Sequence, residues 1–269
     1  MKLIVSPSSY EQINTLVNKD IYGILLSIDK FSVNDSFYVD VEDIDKIDFK
    51  NKKVFISLNK MMHNSDLEYL SDVINKIKNK DIKIIFYDMA VYNIAREYNI
   101  LDKLIISQDH LNASNLSNNF YYNIGIKGSL ITSDITGNEL NEIKDNTKMD
   151  IYFMAYGYAP IFYSRRYLIT NYLKYINCKA KYKKYEILSD NNVVYPIVEE
   201  EYGTTIYTPK PINLINHLDE LTNIDYLVLK NNMINDDEFN KMVDKYLKNE
   251  KIDDEYIGFF DKKTIYKVK

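Results

Sequence analysis

Short runs of β-branched and other apolar residues alternate with amphipathic segments along the first half of this chain, and no other property narrows its fold so far. Residues 3–5, 23–28, 53–58, 82–87, 104–106, 129–132 and 151–155 are apolar on both faces, as strands are when helices cover a parallel sheet. Between them, residues 64–78, 88–98, 111–122 and 137–145 carry apolar positions three and four apart. In the first of these helices Leu67, Leu70, Ile74 and Ile77 share a face, with Ser65 as N-cap and Glu68 at the capping-box spacing. Repeated β-α units of this length predict either a (β/α) TIM-like barrel or an open doubly wound sheet. The barrel is preferred, because no glycine-rich phosphate loop or dinucleotide fingerprint follows any strand and only 7 Gly occur in 269 residues.

The rhythm changes after a helix expected at 164–176. Residues 183–188, 193–198 and 204–208 alternate like antiparallel strands separated by SDNN and EEYG, which predicts a small β insertion near 180–208. A helix at 211–221, a strand at 226–230 and a helix at 236–248 restore the earlier pattern, and a short strand is expected at 264–268. The chain is therefore read as one α/β barrel domain over 1–269, with 179–208 as the insertion.

Barrel chemistry gathers where strands end, which puts Asp29, Asn59, Asp88, Gln108, Ser133, Asp134 and Tyr156 at one rim. The same residue types cap helices, and for Asn59, Asp88 and Asp134 capping is as good an account. A second signal comes from arginine. The chain has 34 Lys and Arg, yet arginine occurs only at Arg96, Arg165 and Arg166. Adjacent guanidiniums in a lysine-dominated chain suit a planar, many-donor grip on carboxylate or phosphate, and a solvated helix start explains them equally well. The acidic run Glu199, Glu200 and Glu201 either orients those arginines or belongs to a solvated hairpin. Of the three histidines, His63 lies near the rim, where ligand contact and a capping or surface role account for it equally well; His110, in a Gln-Asp-His cluster, suits a polar ligand or, preferably, a cap of the next helix; His217 reads as structural. The Lys and Tyr interleaving over 174–185 fits either RNA or an amphipathic strand with lysine stems over tyrosine faces.

Charge and cysteine usage bound the remaining choices. A net charge of -5 excludes a broadly cationic coat for nucleic acid, although not a local basic groove. Cys178 is the lone cysteine, so neither an intramolecular disulfide nor a thiolate-held cluster can form within this chain, and it reads as an inert packing residue. The opening MKLIVSPSSYEQI lacks the hydrophobic region of a secretion signal, and no apolar stretch of roughly 20 residues marks a membrane span. A cytoplasmic protein in a reducing compartment is expected.

Several ordered segments carry a family resemblance. VFISLNKMMHNSDLEYL contains Asn59, Met62, His63 and Asn64; DMAVYNIAREY begins at Asp88; LITSDITGNELNEI runs from a strand into an acidic residue and a helix. AYGYAPIFYSRRYLI presents Gly157, Ser164, Arg165 and Arg166, and YPIVEEEYGTTIYT presents Tyr195, Pro196, Glu199, Gly203 and Thr204. Taken together they resemble peptidase family U32, the collagenase-like proteins, and most of all its short bacterial branch linked to tRNA wobble-uridine 5-hydroxylation. Departures from the family pattern are Pro160 and Tyr167 in place of two signature cysteines, Tyr156 and Thr205 in place of histidines, and Tyr152 in place of a glutamate.

The resemblance implies a TIM-like barrel and a protein of tRNA hydroxylation. Without the cysteines this chain is expected to carry no cofactor of its own, an iron–sulfur cluster belonging only to a cysteine-bearing relative or partner. It is then expected to be an accessory subunit beside a cysteine-bearing U32 paralogue, with tRNA and a small anionic ligand such as a dicarboxylate as further partners, and no membrane. The implied substrate-binding set is Arg165, Arg166, Ser164, Asn59, His63, Asp88, Glu199 and Thr204; catalytic residues stay unassigned and no metal site is expected. A collagenase-like hydrolase and a non-catalytic barrel are the alternative readings, and no Ser-His-Asp set, Cys-His pair or zinc motif stands out for the first.

Overall fold

A computed structural model describes residues 2–179 and 184–262. The chain divides into two compact units, Met1–Gly157 with Asn213–Lys269, and Tyr158–Ile212. In chain order the strands are β1 (Lys2–Ser6), β2 (Gly23–Ile28), β3 (Tyr38–Val39), β4 (Lys53–Leu58), β5 (Ile82–Phe86), β6 (Leu104–Ser107), β7 (Gly128–Ile131), β8 (Asp150–Gly157), β9 (Pro160–Ser164), β10 (Lys184–Leu188), β11 (Val194–Glu200), β12 (Gly203–Tyr207), β13 (Ile212–Asn213) and β14 (Tyr226–Lys230). The α-helices are α1 (Tyr10–Leu16), α2 (Leu67–Ile77), α3 (Met89–Glu97), α4 (Asn115–Asn123), α5 (Gly137–Asp145), α6 (Leu168–Tyr175) and α7 (Asp236–Lys248).

In the first unit β1, β2, β4, β5, β6, β7, β8 and β14 pair in that order, and β14 returns to β1, so the sheet closes into an eight-stranded parallel barrel with helices between strands. The β-branched runs make this possible, since each strand is buried both inside the barrel and beneath the helices. Ile4, Leu25, Phe55, Ile85, Ile105, Tyr152, Tyr226 and Val228 fill the interior. Tyr152 and Tyr226 stack with centroids 4.3 Å apart and planes 9° from parallel. Burial raises both phenols well above their ordinary pKa, so they stay neutral. The close fit demands a bare backbone at Gly128, where an added Cβ would stand 2.8 Å from Ile105 and 3.0 Å from the Tyr152 ring.

Two residues beyond Ile4, Leu25, Phe55 and Ile105, on the same strand face, stand Ser6, Ser27, Ser57 and Ser107, all buried. The interior thus turns from apolar to polar at the C-terminal end of the strands. The loop after β2 meets that layer: Ser32 Oγ donates to the Ser57 carbonyl at 2.5 Å, and Ser27 Oγ donates to Asp35 at 2.6 Å. Asp35, almost fully buried, also pairs with Lys230 Nζ at 2.7 Å.

Helix starts differ in detail from the sequence expectation. Instead of Ser65 and Glu68, a 3-10 turn at Asn64–Asp66 leads into α2, and the His63 amide donates to Asp66 Oδ2 at 2.8 Å. The helix expected from 111 starts at Asn115 with Ser114 as its N-cap. Most of the segment expected as a helix at 211–221 is a 3-10 helix at Ile215–Leu221. The strand expected at 264–268 lies outside the described residues.

The segment after α7 is held back on the first unit by Asn216, which exchanges two hydrogen bonds with the Ile252 backbone at 2.9 and 3.0 Å. The Asn213 amide donates to the Tyr256 carbonyl at 2.8 Å. His217 joins this clasp through Glu220 at 2.7 Å and Glu255 at 3.2 Å.

Two expectations follow. Asp35→Ala strands a largely buried Lys230 ammonium and costs roughly 3–5 kcal/mol, of which the added change Lys230→Met recovers a part; urea denaturation of the two variants checks it. For His217, burial opposes the charged ring, but the Glu220 hydrogen bond and the charges of Glu255, Asp261 and Glu220 outweigh it, and the folded pKa is raised. A raised folded pKa means the contribution is complete below about pH 6.5 and fades as pH climbs through the folded value. Thermal melts across that window should show a step in wild type that His217→Gln removes.

Candidate functional site

The candidate residues fall in both units. In the first, Asn59 and Asp88 are each tied to a neighbouring loop. Asn59 follows β4, and its amide grips one residue of the β2 loop twice, accepting from the Val33 amide at 2.9 Å and donating to the Val33 carbonyl at 3.0 Å. Asp88 caps α3 by accepting from the Ala90 amide at 2.9 Å, while its other oxygen accepts from Met62 N–H at 2.9 Å. That second bond fixes the backbone beside His63, whose side chain is exposed. Asp29 and Asp134 are exposed, and Gln108 accepts from the Tyr121 hydroxyl at 2.8 Å. Tyr156, expected at the rim, is instead buried against Phe239 and Tyr246 of α7 because β8 runs on to Gly157.

In the second unit β10, β11, β12 and β9 form an antiparallel sheet. Ser164 is the last residue of β9, not the start of a helix, and the arginines occupy the turn between β9 and α6. Both Arg165 and Arg166 are exposed. The turn is set by Gly203 at the start of β12, whose φ of +141° suits glycine, and any Cβ there would lie 2.1 Å from the Ser164 carbonyl. Thr204, fully buried, donates from Oγ1 to the Arg166 carbonyl at 2.8 Å and accepts from Leu168 N–H at 3.0 Å. Ser164 Oγ accepts from the Arg166 amide at 3.3 Å.

Glu199 completes the arrangement. Tyr167, the residue before α6, offers no side-chain cap, and the Glu199 carboxylate arrives from β11 to do so instead. It accepts from Ile169 N–H at 2.8 Å, from Thr170 N–H at 3.2 Å, and from the Thr170 hydroxyl. A helix start attracts anions through its unpaired amides and its dipole. Here the protein's own carboxylate fills that place, so an external anion at this turn would be met by the arginine side chains and not by the helix amides. Ser164, Arg166, Glu199 and Thr204 are therefore brought together by direct hydrogen bonds, with Arg165 beside them in the turn.

Sequence reasoning missed the Asp35–Lys230 pair and the serine layer. A signal existed for the serines, because in four strands a serine sits two residues after a core position. None existed for Asp35, which reaches its lysine partner from a loop. Among the described residues, His217, Glu220 and Asp261 form a group whose potential metal-ligating atoms lie within 4.8 Å of one another. Both ring nitrogens of His217 already face carboxylates, the arrangement of an imidazolium and not of a metal ligand. No helix among the described residues is long and apolar enough to cross a membrane.

Comparison with known proteins places these features in context. The model of peptidase family U32 matches residues 8–258. The chain is 25% identical over 232 residues to tRNA hydroxylation protein P2 of Bacillus subtilis, covering 82% of this chain and 75% of that protein. It is 27% identical over 194 residues to tRNA hydroxylation protein P of Helicobacter pylori, covering 67% of this chain and 46% of the relative. Similarity to an uncharacterized protease of Methanocaldococcus jannaschii is 22% over 197 residues, 68% of this chain and 47% of that protein. The chain thus spans three quarters of the Bacillus relative and about half of the other two. Among solved structures, the U32 peptidase Mk0906 superposes with a TM-score of 0.54 at 11% identity, covering 85% of this chain and 92% of that one, a likeness of fold.

Removing the Glu199 carboxylate should loosen the arginine turn. Glu199→Ala is expected to cost about 1–2 kcal/mol, in the range of a lost helix cap, and Glu199→Gln less, since one acceptor oxygen remains. Chemical denaturation of both variants tests the order.

Proposed function

This chain belongs to peptidase family U32, and from that premise we propose that it acts in tRNA hydroxylation as an accessory subunit beside a cysteine-bearing member of the same family. The observation carrying this reading is the similarity to the Bacillus tRNA hydroxylation protein over 82% of the chain. The modified position is taken to be the wobble uridine, converted to its 5-hydroxy form. Pro160 and Tyr167 stand where the signature cysteines would be, and neither side chain offers the soft thiolate that an iron–sulfur cluster needs. Cys178, exposed and not the packing residue expected of it, is the one thiol of the chain. The redox chemistry is therefore assigned to the partner.

The contribution of this subunit is a grip on a small anionic ligand by Arg165 and Arg166, with Ser164, Glu199 and Thr204 holding the turn that presents them. A dicarboxylate suits two guanidiniums, each able to donate a planar pair of hydrogen bonds. Asn59, His63 and Asp88 are assigned to substrate contact at the barrel rim. A peptidase reading draws on the relationship to an uncharacterized protease. It would require cleavage of collagen or peptide that depends on these same residues.

Mass spectrometry of tRNA nucleosides from a deletion strain tests the reading. Loss of 5-hydroxyuridine, restored by the wild-type chain, is the expected result; an unchanged nucleoside profile would refute it. Complementation with Arg165→Lys and Arg166→Lys together keeps the charge and removes the fork. A carboxylate grip predicts clear loss of modification, at least about tenfold, whereas a role in charge balance predicts none.

A further inference from the structure

We infer that α6, with the exposed cations Arg165, Arg166, Lys174 and Lys179 of the same stretch, forms a docking face for single-stranded RNA, with tyrosine rings as stacking platforms and those cations on the phosphates. The inference rests on the tRNA reading above and names the surface that would meet the nucleic acid. Its first support is the distribution of charge. Residues 158–212 hold eight Lys and Arg against five Asp and Glu, a net of +3 in a chain of net -5. Within that unit, residues 165–184 contain seven cations, Arg165, Arg166, Lys174, Lys179, Lys181, Lys183 and Lys184, with no acidic residue among them. Such a block on an otherwise acidic protein is the electrostatic mark of a polyanion partner.

The second support is the exposure of aromatic rings. Tyr172 and Tyr175, three apart on α6, are 61% and 85% exposed, and Tyr167 just before the helix is 48% exposed. Positions three apart lie on neighbouring parts of one helix surface. Ile169 is the buried residue of α6, and exposure rises from it through Tyr172 to Tyr175. Lys174 and Lys179 are exposed as well. Rings open to water in a stretch that holds cations and no acidic residue suit unpaired bases, since every nucleobase offers a π face. A protein partner would more readily meet this apolar surface if the cations were thinned, since interface cores are depleted in lysine. Glu199 adds to the case: it reaches the start of α6 from β11, and its carboxylate is taken up by the helix amides.

The test uses the full chain and fluorescence anisotropy with a labelled single-stranded oligouridine, a duplex RNA of equal length and an unmodified tRNA transcript. The expected result is preference for the single strand and the tRNA over the duplex. Affinity should weaken about tenfold for Tyr172→Ala and for Tyr175→Ala, while Tyr172→Phe and Tyr175→Phe bind as wild type. Lys174→Ala with Lys179→Ala should lower the slope of log affinity against log salt by about 0.7 for each phosphate that is no longer neutralised. Circular dichroism confirms that each variant is folded. Binding that ignores all these changes would overturn the face, as would equal affinity for duplex, absence of RNA binding by the wild-type chain, or a protein partner captured by α6 in place of RNA. Each of those outcomes leaves the nucleoside profile of the deletion strain free to stand or fall by itself, so failure of the face and failure of the tRNA reading are told apart.

Discussion

Closure of eight parallel strands leaves a cylinder that must be filled from within, and the rest of the first unit follows from how this is done. Phe55, Tyr152 and Tyr226 occupy the interior with Ile4, Leu25, Ile85 and Ile105, and the close approach to Gly128 shows how little room is left. Filling one end with rings frees the other to be polar. The β2 loop meets that polar end: Asp35 accepts from the Ser27 hydroxyl, Ser32 donates to the Ser57 carbonyl, and Lys230 closes the charge balance. The loop at the strand ends is therefore ordered by the interior it covers.

The barrel was legible because its signal is spread over many residues. Seven apolar runs and the helices between them had to satisfy two buried faces at once, and only a narrow set of sequences does so. Helix starts were less legible. Ser65 and Glu68 have the right spacing for a capping box, yet the chain enters α2 through a 3-10 turn in which Asp66 receives the His63 amide. Capping patterns are short, and several acceptors within one turn compete on nearly equal terms.

The arginine turn shows the same limit from another side. Two arginines in a lysine-rich chain marked the place, and Gly203 and Thr204 stood out in a second segment, but the sequence could not say that the two segments touch. Nor could it say that Glu199 faces a helix start and not a guanidinium, because that depends on the antiparallel register of β11 with β12 and of β12 with β9. Long-range pairing carries no local pattern, so a carboxylate 33 residues beyond Arg166 reads equally as ligand, counter-ion or cap.

The hydrogen bonds that shape this turn, from Thr204 to Arg166 and from Ile169 and Thr170 to Glu199, begin and end within Tyr158–Ile212. The fastening is thus parochial: a substitution in the barrel removes neither partner of any of these bonds.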